Sequence, residues 1–323
     1  MGFRYRARGL TAVTLLGVTY HYVRPGSPLV PGLRYLELED FRKQLDWLLE
    51  TRRNVSRDEF VSIMAGESPV SDGFILTFDD GLLDHYQFVY PELVERGMWG
   101  SFYVPVGPFL DGRSLDVHLI HALLGVFGGA QVLSTLLQVL SELGIEFDEI
   151  SKSNRYANVD DDEAIVEVKR KLNYEIKIEQ RSIVLDNICA RLDYQLDVAD
   201  WYMTIPQMNE MVSAGMIIGS HSVSHRPMSQ LSAEQQSWEI ETSFQWLEAN
   251  VPSREPRSFC YPYGGFDTFT PETESLLSDA GVQWSLNFEN REISQSDVVN
   301  RPQALPRVDC CTLPHGKSRK HGA

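Results

Sequence analysis

Short apolar runs alternate with amphipathic segments along most of this chain. No other feature restricts the fold as strongly. TAVTLLGVTYHYV (11–23), GFILTF (73–78), GSFYVPV (100–106), MIIGS (216–220), RSFCYPYG (257–264) and VQWSLNF (282–288) read as buried strands. Between them, LEDFRKQLDWLLE places Phe41, Leu45, Leu48 and Leu49 at helical spacing, and DHYQFVYPELVERG reads as a helix stopped by Gly97. TIPQMNEMVSAG is a third helix, ended by Gly215. SAEQQSWEIETSFQWLEAN opens with the capping pair Ser232 and Gln235, and TPETESLLSDAG carries Pro271 at its first position and Gly281 past its end. Repeated strand-then-helix units predict an α/β protein with a parallel sheet, either open or closed into a barrel.

One region departs from this rhythm. Between residues 111 and 200 the pattern is helical, in VHLIHALLGVFGGAQVLSTLLQVLSELG and DEAIVEVKRKLNYEIKIEQRSIVLDNICARLD. The chain therefore divides into a β/α domain (1–110 and 201–312), a helical insertion (111–200) and a polar tail (313–323) expected to be loose. The insertion is a candidate contact for a homo-oligomer.

Composition removes several classes. A net charge of −16 argues against a nucleic-acid partner. The cysteines, Cys189, Cys260, Cys310 and Cys311, form no C-x-x-C pair, so a reducing, cytoplasmic setting is expected rather than a disulfide framework. Arg4, Arg6 and Arg8 precede an apolar run that could pass for a signal peptide. No small-x-small site follows, and the run continues into TYHYV, so it reads as the first core strand. No stretch reaches the ~18 apolar residues of a membrane span, and none is expected.

Three motifs stand at predicted strand ends: TFDDG (77–81), HSVSH (221–225) and FCYPYGG (259–265). In β/α folds the loops after the strands build the site. His221 and His225 with one carboxylate make a common divalent-metal set. That carboxylate is Asp79 or Asp80. Neighbours on an extended segment point opposite ways, so one aspartate can face a metal while the other serves as a base. Asp-Asp-Gly alone is usually a turn, and H-x-x-x-H alone is often a helix surface. Their joint occurrence, each after its own strand, carries the argument.

In this order, Thr77-Phe-Asp-Asp-Gly81, His221-Ser-Val-Ser-His225 and Tyr261-Pro-Tyr-Gly264 resemble the polysaccharide deacetylases of carbohydrate esterase family 4, the NodB-homology group. The text DHYQFVYPELVERGMWGSFYV after the first motif looks like them too. The resemblance covers roughly residues 12–110 and 200–310 and leaves the insertion outside. It implies a distorted (β/α) barrel that removes an acetyl group from an N-acetylated sugar with a divalent metal, usually Zn2+. Asp79 would be the general base, Asp80, His221 and His225 the metal ligands, and Tyr263 the backbone donor to the oxyanion.

Two departures stand out. The family's arginine beside the third motif's proline is absent. Cys260 and Tyr261 stand there, Arg257 lies further upstream, and Arg307 in LPRVD is the candidate partner of Asp79. The late L-x-H motif that carries the general acid is also missing. Members acting on extracellular poly-glucosamine resemble this chain in taking that histidine from an N-terminal strand end, which points to His21. A histidine there has an ordinary pKa near 6.5 and can return a proton to a leaving amine. Alternatives are hydrolysis of another amide or a cyclic imide on the same metal, and a carbohydrate-binding protein without turnover. Asp116, His118 and His121 read as surface or packing groups, and Trp201 and Tyr202 as core residues as readily as a sugar platform. Residues 160–163 read as an exposed helix start, and His315 and His321 belong to the tail.

Overall fold

The computed structural model describes residues 13–26, 29–145, 162–253 and 256–320. Arg4, Arg6, Arg8, Asp160, Asp161 and His321 lie outside these. The described residues fall into two compact units: one contains those of 13–23, 39–106 and 203–317, the other those of 24–38, 107–202 and 318–320.

In the first unit, every predicted strand forms at its expected place. The sheet runs in the order Val308–Asp309, Thr14–Tyr20, Gly73–Phe78, Ser101–Val104, Ile217–Ser220, Ser258–Cys260 and Trp284–Leu286, all neighbours parallel. Ile293–Ser294 adds an antiparallel pair to the Thr14–Tyr20 strand. The sheet curls on itself: Leu305 bridges Leu286 at one edge, while Val308 pairs with Val18 at the other. This is the distorted (β/α) barrel. Residues on both faces of the central strands are buried, which is why those strands read as continuous apolar runs instead of alternating ones.

The helices that follow the strands begin where their capping residues stand. Thr204 with Gln207, Ser232 with Gln235, and Thr270 with Thr273 each form reciprocal capping pairs. The helix expected after TFDDG is split. A single π-helical turn, His85–Val89, precedes an α-helical stretch, Tyr90–Glu95. A short helix, Arg57–Met64, capped by Ser56, escaped the sequence reading because its eight residues carry too little periodicity. Outside the sheet an aromatic column supports the strand ends. Tyr20 stacks on Phe78 at 5.2 Å, Phe78 on Phe102 at 4.7 Å, and Phe41 meets Tyr20 edge-on at 5.2 Å. Each such pair adds about 1 kcal/mol beyond its buried area.

The second unit is mainly helical, as expected of the insertion. Its long helix, Asp116–Leu143, is kinked at Gly128, whose φ of 75° no ordinary helical residue adopts. It packs against Glu163–Arg170 and Ile178–Leu192 through Leu123, Val132, Leu136, Val168, Leu172, Val184 and Ile188. Contrary to the sequence expectation, this helix is long and apolar enough to cross a membrane by length and composition. Half of its most apolar stretch is buried inside the structure. Asp162 caps the following helix, its side chain accepting from Ile165 N. His118 is buried with its Nδ1 2.6 Å from the Tyr202 hydroxyl, and Trp201 and Tyr202 are buried beside it, so the packing reading of this cluster holds.

Two boundaries need correction. Residues 24–38 belong with the helical unit, where Gly32 N donates to Gly125 O at 2.8 Å. The tail is ordered through residue 320: Tyr35 and Arg319 exchange backbone hydrogen bonds of 2.8 and 3.0 Å, and Gln44 Nε2 donates to Pro314 O at 2.7 Å. Its polar composition hid these backbone partners.

Candidate active site

Each site residue follows a strand, or in one case precedes one. Thr77 and Asp79 lie two apart and point the same way, into the barrel. Thr77 Oγ1 lies 3.1 Å from Thr19 Oγ1 on the neighbouring strand. Arg307, at the start of the Val308–Asp309 strand, reaches across the interior. Its Nη1 and Nη2 donate to the two Asp79 carboxylate oxygens, both at 2.8 Å. Nη1 also reaches Thr77 Oγ1 at 3.1 Å, and Nε donates to the Asn287 carbonyl at 3.0 Å. The planar guanidinium matches the carboxylate bidentately, a geometry lysine cannot provide. Both groups are buried. Burial alone would raise the Asp79 pKa, but the Arg307 charge and its two hydrogen bonds outweigh it and hold Asp79 at about 2.

Asp80 is not separated from Asp79 by strand alternation as the sequence suggested. The strand ends at Phe78, and Asp80 adopts a left-handed backbone with φ 81°. Gly81 continues the turn at φ 62°, where a Cβ would stand 3.1 Å from Val104 Cγ1. The turn delivers the Asp80 carboxylate to two imidazoles. His225 Nε2 is 3.2 Å and His221 Nε2 3.4 Å from Asp80 Oδ1. His221 Nδ1 lies 2.7 Å from the Cys260 carbonyl. A carbonyl only accepts, so Nδ1 donates to it, and Nε2 is the ring nitrogen left facing Asp80.

The HSVSH loop is held by partners that the sequence did not reveal. Glu239, buried on the helix Ala233–Asn250, accepts from Val223 N at 2.7 Å and Ser224 N at 2.9 Å, and from the Ser224 hydroxyl. Ser222 Oγ accepts from His225 N at 3.1 Å, in a loop where Ser222 and His225 both have positive φ. The only sequence signal for Glu239 is an acidic residue on the apolar side of an amphipathic helix. Cys260 is buried, 3.4 Å from Asp79 Oδ2 and 3.0 Å from Arg307 Nη2. Tyr263, on a left-handed turn with φ 62°, sets its ring 5.0 Å from that of His225. His21 follows the Thr14–Tyr20 strand, 46% exposed, with Nε2 4.0 Å from Asp79 Oδ2.

Every residue singled out from the motifs therefore converges on one end of the barrel. Asp80, His221 and His225 each offer a ligand atom within 4.8 Å of the others. One hard oxygen and two imidazole nitrogens suit a divalent cation such as zinc. Two nitrogens facing one carboxylate oxygen also call for a positive charge between them. The donor set thus fits a metal by its chemistry.

A sequence profile described as Polysaccharide deacetylase matches residues 198–284. No curated protein sequence matches the chain. Among solved structures, a deacetylase of Streptococcus pyogenes, PplD in complex with acetate, is similar with a TM-score of 0.56 and 17% identity, covering 93% of each chain. IcaB from Ammonifex degensii gives 0.54 at 18% identity, over 92% of this chain and 91% of its own. The BpsB deacetylase domain from Bordetella bronchiseptica gives 0.53 at 14%, over 92% and 96%. The profile match over residues 198–284 agrees with the resemblance read from the motifs, and the solved structures share the fold. The likeness in fold spans both units, including the helical region that the motif resemblance had left out.

Proposed function

We propose that the protein is a metal-dependent hydrolase that removes the acetyl group from an N-acetylated sugar. The observation that carries this reading is the meeting of Asp80, His221 and His225 beside an Asp79 carboxylate locked by Arg307. Asp80, His221 and His225 would hold the cation. When bound, a divalent ion there lowers the pKa of water and polarises a carbonyl oxygen.

The chain's own groups supply the rest. Asp79, ionised at every working pH, accepts the proton of the attacking water. Arg307 fixes the plane of that carboxylate and balances its charge. The backbone N–H of Tyr263 donates to the oxyanion of the tetrahedral intermediate, a contact of a kind worth roughly 3 kcal/mol. His21, across from Asp79 at the open end of the site, returns a proton to the departing nitrogen.

The test is metal analysis with acetate release across a panel of N-acetyl sugars, monomeric and polymeric. Wild-type protein releases acetate and Asp79→Asn does not. Full activity in Asp79→Asn would remove the base assignment, and an amine product without acetate would point to another amide.

A further inference from the structure

His85 lies in the π-helical turn that follows the Asp79-Asp80-Gly81 loop, and no motif includes it. The strands Thr14–Tyr20 and Gly73–Phe78 stay in register to the pair Tyr20–Phe78. One more bond follows, from Asp79 N to Tyr20 O at 3.0 Å. Asp80 then turns left-handed and the second strand departs. The His21 carbonyl comes one residue after this last bond. His85 Nε2 meets that carbonyl at 3.0 Å. The oxygen only accepts, so His85 is the Nε2–H tautomer and donates.

The rest of His85 makes no sense as packing alone. It is fully buried between Phe78 and Phe102, with ring centroids 5.6 and 5.8 Å away. Its Nδ1 has no hydrogen-bond partner among the described residues. A leucine would fill the same slot without burying an unpaired nitrogen. Burial keeps the ring neutral, with its pKa lowered to about 4, so the donor role persists at working pH. The one thing histidine provides here is a donor that reaches His21. His21 itself is 46% exposed, so little packing fixes its side chain, and its placement depends on its backbone.

We propose that His85 is a positioning residue for His21, its buried hydrogen bond to the His21 carbonyl holding that backbone so that the His21 imidazole stays opposite Asp79. This rests on the reading of His21 as proton donor.

The experiment compares His85→Leu, His85→Gln and His85→Asn, each alone and with His21→Ala. Two substrates are used, tetra-N-acetylchitotetraose and 4-nitrophenyl acetate. The aryl ester leaves without needing a proton, so it bypasses the acid. His85→Leu should lower kcat on the acetamide about tenfold with KM nearly unchanged, and spare the ester. His85→Gln, which keeps a donor of sufficient reach, should recover most of the loss, and the shorter His85→Asn should not. In the His21→Ala background, His85→Leu should cost nothing further. Equal losses on both substrates, equal losses in both backgrounds, or a glutamine no better than leucine would overturn the proposal. The ring signals of His21 in 15N-labelled protein give a readout independent of turnover. They should shift in His85→Leu and hold in His85→Gln. Unmoved signals in His85→Leu would overturn the positioning role. Full activity in His21→Ala would instead remove the proton-donor reading, and a wild type that releases no acetate would remove the proposed function.

Discussion

Asp79 and Asp80 are adjacent in the chain but sit in opposite electrostatic situations. Around Asp79 the charges are balanced by the protein: Arg307 gives both oxygens a donor, Cys260 lies against one of them, and the group is closed off from solvent. Around Asp80 the protein supplies acceptors, with two imidazole nitrogens aimed at one carboxylate oxygen. Each kind of environment suits one task. A base must stay ionised and fixed in orientation, and a ligand must sit where a cation gains by arriving. A left-handed turn that begins at Asp80 and continues through Gly81 is what switches the chain from one environment to the other.

Breaking the Asp79 side should have the largest effect. Asp79→Asn removes the proton acceptor and should lower kcat by 10²–10⁴, leaving metal content intact. Arg307→Met leaves a buried carboxylate without its counter-charge and should cost about 3–5 kcal/mol of stability, read by denaturant unfolding. On the Asp80 side, the prediction concerns affinity rather than stability. Glu239→Ala frees the backbone of Val223 and Ser224, loosens the loop carrying both histidines, and should weaken metal binding roughly 10–100-fold.

A separate effect concerns stability against pH. Asp79 has a folded pKa of about 2, below its ordinary value. It therefore contributes stability above the unfolded pKa, and this fades as pH falls through about 2. His85 is also depressed, from its ordinary value to about 4. The unfolded state takes up its proton first, so His85 costs the fold stability as pH falls from about 6.5 towards 4, by up to about 3 kcal/mol. Stability measured against pH should decline over that window in wild type, and His85→Leu should flatten the decline.

Much of this was legible in the sequence because strands buried on both faces leave continuous apolar runs, and strand ends carry the motifs. His21 and Arg307 were readable as substitutes for missing family positions: His21 borders a strand that the pattern had located, and Arg307 stood out in LPRVD although the short strand after it had no pattern of its own. Other features left little or no local trace. Glu239 acts from a helix whose periodicity looks ordinary. His85 is meaningful only through the backbone carbonyl it reaches at the end of a distant strand, a partner that no side-chain pattern announces. The kink at Gly128 and the ordered tail depend on partners distant in the chain, and the tail's polar composition argued for the opposite.

The central claim is that the two aspartates divide the work, and metal stoichiometry in paired variants tests it most directly. Wild type and Asp79→Asn should each bind a single divalent ion with similar affinity, with only wild type releasing acetate, while Asp80→Asn should lose the ion. Retention of the ion by Asp80→Asn at wild-type affinity, or its loss from Asp79→Asn, would contradict the account.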